Sequence, residues 1–149
     1  MKPFPFPFPL NIGTDIVHLP RITRLLRRGD YFTRFTRRIL CDQEQQDFNR
    51  RFALTPISPA ESTSRETPYI ISADMARWIA GRFAAKEAAR KAAPMGAATT
   101  GWKDVLVRLG EEDQGRPQIV YLGPDGGRLG KLSISHDGEY VVATVLAAG

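Results

Sequence analysis

The sequence predicts an α+β domain in which an antiparallel sheet packs against one long central helix. Helical periodicity occupies the first two-thirds of the chain, short β-rich runs separated by Gly-bearing turns fill the last third, and no regular βαβ alternation would build a parallel sheet. At 149 residues with 42% hydrophobic content the chain suffices for one core without metal or disulfide staples. Taken in order, Met1 to Leu10 (MKPFPFPFPL) is a Pro/Phe leader in which proline at every second position blocks a helix. Leu10 to Val17 (LNIGTDIV) reads as a strand. Pro20 opens a helix to Arg28, with Ile22, Leu25 and Leu26 as its apolar stripe and Arg21, Arg24 and Arg28 as a basic face. Asp42 caps a second helix running to Phe52. Thr55 to Ser72, rich in Ser, Thr and Pro, reads as an exposed, disorder-prone insertion within a single domain spanning 11–149. Asp74 caps the longest helix, in which Met75, Trp78, Ile79 and Phe83 recur at helical spacing until Pro94 stops it. Trp102 to Leu109, Pro117 to Leu122, Leu132 to Ser135 and Tyr140 to Leu146 are the strands that follow, with turns at Asp113 to Gly115 and Pro124 to Gly127.

Charge narrows the function. The net +5 lies wholly in residues 1–51, which hold ten basic and five acidic side chains against eleven of each beyond. Seven arginines between Arg21 and Arg38 face only Asp30, which implies an acidic partner. Nucleic acid is one such partner, but the basic helix carries no interleaved aromatics for stacking on bases, which argues against it. Cys41 is the only cysteine, so no intramolecular disulfide forms, and no apolar stretch is long enough to span a membrane. The leader lacks arginine and resembles neither a transit peptide nor a signal peptide.

Three segments concentrate polar residues that could carry chemistry. Asp15 in GTDIVHLPR sits within an apolar run; it reads first as a turn Asp at a helix start, and otherwise as a carboxylate needing a cation to offset desolvation. On the long helix Phe83, Glu87 and Lys91 share one face, while Arg82, Lys86 and Arg90 line the next. Glu87 and Lys91 alone would be a surface ion pair. The flanking cations suggest instead a site for a hard cation and phosphate. His136 closes the LSIS run, a place where a structural histidine is the commoner reading. No serine, nor Cys41, has a spaced base, which speaks against acyl-enzyme chemistry.

Together GTDIVHLPRI, RFAAKEAARKA and LSISHDGEYVVATV, in that order, resemble the motifs of holo-[acyl-carrier-protein] synthase, the bacterial-type 4′-phosphopantetheinyl transferase. RFTRRIL (Arg34 to Leu40) and QGRPQI (Gln114 to Ile119) are similar to two further stretches of that family, so the likeness covers Asn11 to Ala147. The leader and the long insertion depart from the pattern; the insertion suggests a fungal-type member, which would be mitochondrial, the bacterial type being cytoplasmic.

The resemblance implies the transferase fold and a reaction in fatty acid biosynthesis. The 4′-phosphopantetheine group of coenzyme A passes to a serine of acyl carrier protein and leaves adenosine 3′,5′-bisphosphate. It implies Mg²⁺ on Asp15 and Glu87, with phosphate oxygens and water as the other ligands. Lys91 would face the pyrophosphate, Arg82 and Lys86 would lie along the phosphates, His136 would reach a coenzyme A phosphate, and Gln114, Gly115, Arg116 and Pro117 would cradle the adenine end. Either Glu87 or a metal-ordered water would take the serine proton. The acidic carrier would dock on Arg21, Arg24 and Arg28, and one motif set per chain would imply a homotrimer with sites between subunits.

Overall fold

The computed structural model describes residues 1–61, 65–111 and 114–149. In chain order the elements are β1 (Leu10–His18), α1 (Leu19–Leu26), α2 (Tyr31–Ile39), α3 (Asp42–Arg51), α4 (Ala73–Ala92), a 3₁₀ turn at Trp102–Asp104, β2 (Val105–Leu109), β3 (Pro117–Gly123), β4 (Gly126–Asp137) and β5 (Tyr140–Ala148). The strands form one antiparallel sheet in the order β1-β5-β4-β3-β2, so β1 and β2 are its edges. The α+β class and the central helix thus match the expectation from sequence.

α4 lies across β1 and β5. Alanines (Ala76, Ala80, Ala84, Ala85, Ala88, Ala89, Ala92) make up most of its buried face, packed with Val17, Val141, Ala143 and Val145 in the core. Small side chains on a good helix former let backbone approach backbone. The closest approach is at Gly13, where a Cβ would sit 2.0 Å from the Ala88 carbonyl oxygen. Any side chain there would push β1 off the helix, and Asp15, two residues on and on the same face, would move with it. Further along the sheet, the Tyr121 hydroxyl donates to the Ala89 carbonyl at 2.7 Å, and burial pushes its pKa up to about 12.

Several boundaries differ from the sequence reading, each for a local reason. α2 has only a weak helical signature in its own sequence, because β-branched and aromatic residues dilute its helical propensity; burial of Phe32 and Ile39 in the core holds it. Ser72, not Asp74, caps α4: its hydroxyl accepts from the Met75 N–H at 3.1 Å, and Asp74 in the first turn pairs with Arg77 instead. Likewise Cys41 precedes α3 as its cap, and Glu44 reaches back to the Cys41 N–H at 2.9 Å. β2 starts only at Val105, since the Asp104 carboxylate takes the Gly101 N–H and turns Trp102–Asp104 into 3₁₀. β4 begins six residues before Leu132; its glycines hide it from propensity, and Gly130 lies opposite Ile119 beneath the Tyr121 ring.

The insertion is not exposed throughout. Thr67 and Ile71 are buried and Tyr69 packs on the core. Backbone hydrogen bonds from Gly29 to Arg65 and from Thr67 to Arg27, both 3.0 Å, fasten this stretch to the end of α1. Residues 62–64 of the insertion, and part of the Asp113 to Gly115 turn, lie outside the described residues.

Candidate active site

Asp15 stands on the helix-facing side of β1 with its side chain 17% exposed. Lys91 Nζ donates to Asp15 Oδ1 at 3.2 Å and to the Thr14 carbonyl at 2.9 Å. One helical turn earlier, Glu87 Oε1 accepts from Arg90 Nη1 at 2.5 Å. The Gly13 contact thereby brings Asp15 to the α4 face that carries Glu87 and Lys91, and both carboxylates are neutralised by cations of α4. Among the described residues no cluster of three or more His, Cys, Asp or Glu forms. Two carboxylates alone fit a small hard cation that keeps water and takes its remaining oxygens from a phosphate, which is how Mg²⁺ is commonly held.

His136 and Arg82 meet elsewhere, at the N-terminal half of α4. With Arg51, Arg77, Trp78 and Gly81 they line a cleft of about 210 Å³. Arg82 also lines an adjoining cleft of about 920 Å³ with Arg50, Arg51, Arg108 and Gln118. The Arg82 guanidinium lies 4.3 Å from the Trp78 ring centroid, and its Nε is buried without a partner. Burial lowers the Arg82 pKa, with Glu44 and Asp47 acting against it. A desolvated guanidinium with an unused N–H, among further arginines, is a place for an anion.

Lys86 is not at this surface, contrary to the phosphate-facing position expected for it. It is fully buried, paired with Glu44 and donating to the carbonyls of Ile39 at 2.5 Å and Trp102 at 3.1 Å. All three ammonium protons are used, which makes Lys86 a strut in the core. Glu44, the partner that decides this, was not singled out from sequence, although its place three residues after the Cys41 cap is a capping-box signal. Gln114 and Gly115 form a turn at φ 56° and 74°, with Gly115 N–H bonded to the Gly110 carbonyl, and Arg116 and Pro117 lead from it into β3. They line neither cleft; Gln118, the next residue, does. His18, which had no evident partner in sequence, pairs with Glu139 at 3.1 Å. Burial raises the pKa of the Cys41 thiol, which keeps it protonated and a poor nucleophile.

Residues 11–145 match the family described as the 4′-phosphopantetheinyl transferase superfamily. The chain is 68% identical, over the full length of both proteins, to 4′-phosphopantetheinyl transferase B, mitochondrial, of Aspergillus fumigatus. It is 35% identical to the holo-[acyl-carrier-protein] synthase of Oceanobacillus iheyensis, over 91% of this chain and 93% of that one. A crystal structure of the Bacillus anthracis holo-(acyl-carrier-protein) synthase in complex with CoA (3′,5′-ADP) superposes with a TM-score of 0.62 at 29% identity, covering 91% of this chain and 93% of that one. Family, relatives and fold agree, and the chain therefore belongs to the 4′-phosphopantetheinyl transferase superfamily as a transferase that moves the phosphopantetheinyl group from coenzyme A to a carrier protein.

Proposed function

We propose that this chain loads acyl carrier protein: the hydroxyl of a carrier serine attacks the β-phosphorus of coenzyme A, the pyrophosphate bridge breaks, and adenosine 3′,5′-bisphosphate leaves. The observation that supports this reading is Asp15 of β1 held to the C-terminal half of α4 by Lys91, with Glu87 one turn earlier on the same helix. Asp15 and Glu87 would hold Mg²⁺, which when bound supplies charge neutralisation at the pyrophosphate. Lys91, 46% exposed, is free to turn from Asp15 to the pyrophosphate oxygens, where a positioned cation stabilises developing charge. Arg82 and His136 would bind the remaining phosphate, and the Gln114 to Pro117 turn the adenine. The test is to incubate the protein with coenzyme A, Mg²⁺ and an apo carrier; a mass gain of about 340 Da on the carrier, the size of the arm the cofactor donates, is the expected result. An unmodified carrier would overturn the reading.

A homotrimer completes the proposal. In one chain the carboxylate pair and the His136–Arg82 cleft sit at opposite halves of α4, so a second copy has room to close the site between them. The outer face of edge strand β1 also supports association, since Ile12 and Ile16 are 69% and 61% exposed, beside Leu10 and Leu146. A C₃ ring closes a heterologous contact of this kind. Light scattering should return three times the 16.6 kDa chain mass; a fully active monomer would sink the assembly. The mitochondrial name of the Aspergillus fumigatus relative favours a mitochondrial carrier as acceptor.

Arg21, Arg24 and Arg28 are exposed while Ile22 and Leu26 of the same segment are buried, leaving the basic face open to an acidic carrier. Reversing the three to Glu is expected to raise the KM for the carrier at least about tenfold and to flatten its salt dependence, because such charges act mainly on association. The KM for coenzyme A should stay put. Steady-state kinetics with each substrate varied in turn would show it; a rise confined to the coenzyme A KM would instead assign these three arginines to the nucleotide.

A further inference from the structure

The two cations that neutralise the carboxylates are held very differently. Lys91 is nearly half exposed and makes two hydrogen bonds from a flexible stem. Arg90 is 21% exposed, and each of its three nitrogens has its own partner. Nη1 donates to Glu87, Nε to the Thr100 carbonyl at 2.6 Å and Nη2 to the Ala97 carbonyl at 3.0 Å. Its guanidinium also lies 4.6 Å from the Trp102 ring centroid. Trp102 is itself fixed, stacked on Phe83 at 5.2 Å with its carbonyl bonded to Lys86.

From this we propose that Arg90 is a positioning residue, locking the Glu87 carboxylate in one orientation and yoking it to the 93–101 segment after α4. A guanidinium is a rigid planar fork, so leaving Glu87 would also break the bonds to Thr100 and Ala97 and lift the group off Trp102. Arg90 therefore stays when Lys91 leaves. It occupies Oε1 and presents Oε2 as the free oxygen for a cation. The same contacts make the 93–101 segment part of the support of the site, although none of its side chains need touch substrate. Groups that orient a metal-binding side chain in this way typically matter about 10- to 100-fold for metal affinity or rate.

The proposal rests on Glu87 as a metal-binding carboxylate, and the experiment separates the two claims. Arg90→Lys keeps the charge but cannot reach Glu87 and both carbonyls together. Mn²⁺ alone is titrated by electron paramagnetic resonance against wild type, Arg90→Lys, Glu87→Gln and the double variant. Arg90→Lys should weaken Mn²⁺ binding about 10-fold and lower kcat while the KM for coenzyme A changes little. In the Glu87→Gln background the same substitution should add nothing, because its effect runs through Glu87. An unchanged Mn²⁺ affinity in Arg90→Lys, or an equal loss on top of Glu87→Gln, overturns the proposal and leaves Arg90 a brace for the loop. If Glu87→Gln itself binds Mn²⁺ as the wild type does, the metal reading fails and the proposal falls with it. Should Arg90→Lys not fold, Trp102→Phe retains packing on Phe83 while weakening the surface under the guanidinium. It should shift Mn²⁺ affinity in the same direction by a smaller factor, and no shift there overturns the proposal equally.

Discussion

Asp15→Asn and Glu87→Gln are each expected to reduce phosphopantetheinyl transfer about 10²–10³-fold or more, the scale on which loss of one preorganised charge-stabilising group is felt. Both replacements keep shape and an oxygen acceptor, so Lys91 and Arg90 retain a hydrogen-bond partner and only the negative charge is lost. Stability should hardly change. The Asp15–Lys91 pair is partly exposed, and pairs of that kind contribute about 0–1 kcal/mol; the thermal midpoint should move by no more than a few degrees. Activity and Mg²⁺ dependence, read alongside the midpoint without metal, separate a lost ligand from a damaged fold. A variant that keeps near wild-type turnover at low Mg²⁺ removes that residue from the site.

Which parts of this arrangement were legible in the sequence follows from the range of the forces involved. α4 declares itself because its apolar period, its alanines and the Pro94 stop are all local. β1 and β5 declare themselves by β-rich composition. α2 does not, since its helical state depends on Phe32 and Ile39 finding the core, a tertiary effect that overrides weak propensity. The candidate site shows the same division. Asp15, Glu87, Lys91 and His136 stand out through short motifs, yet the meeting of Asp15 with Lys91 depends on Gly13 pressing against Ala88, 75 positions away. Lys86 illustrates the failure. A helical wheel places it beside Arg82 and Arg90, and nothing within a turn of it indicates that Glu44, on a different helix, will draw it into the core.

Lys86→Met is accordingly expected to damage the fold rather than coenzyme A binding. The substitution leaves the Glu44 carboxylate fully buried without its countercharge, a change that costs about 3–5 kcal/mol when one member of a buried pair is removed. For a chain of this size that is roughly a 10–15 °C fall in thermal midpoint, measurable by circular dichroism. Replacing Glu44 with Leu as well should not restore stability, in contrast to buried pairs that merely satisfy each other. Glu44 also accepts from the backbone N–H groups of Cys41 and Val107, and Lys86 donates to the Ile39 and Trp102 carbonyls. The double variant would strand four backbone groups that bind the end of α2, the start of α3 and the β2 edge to α4, each about 1–3 kcal/mol to leave unsatisfied. A Lys86→Met protein with an unchanged midpoint and a raised KM for coenzyme A would return Lys86 to the phosphates and refute its role as the strut beneath the site.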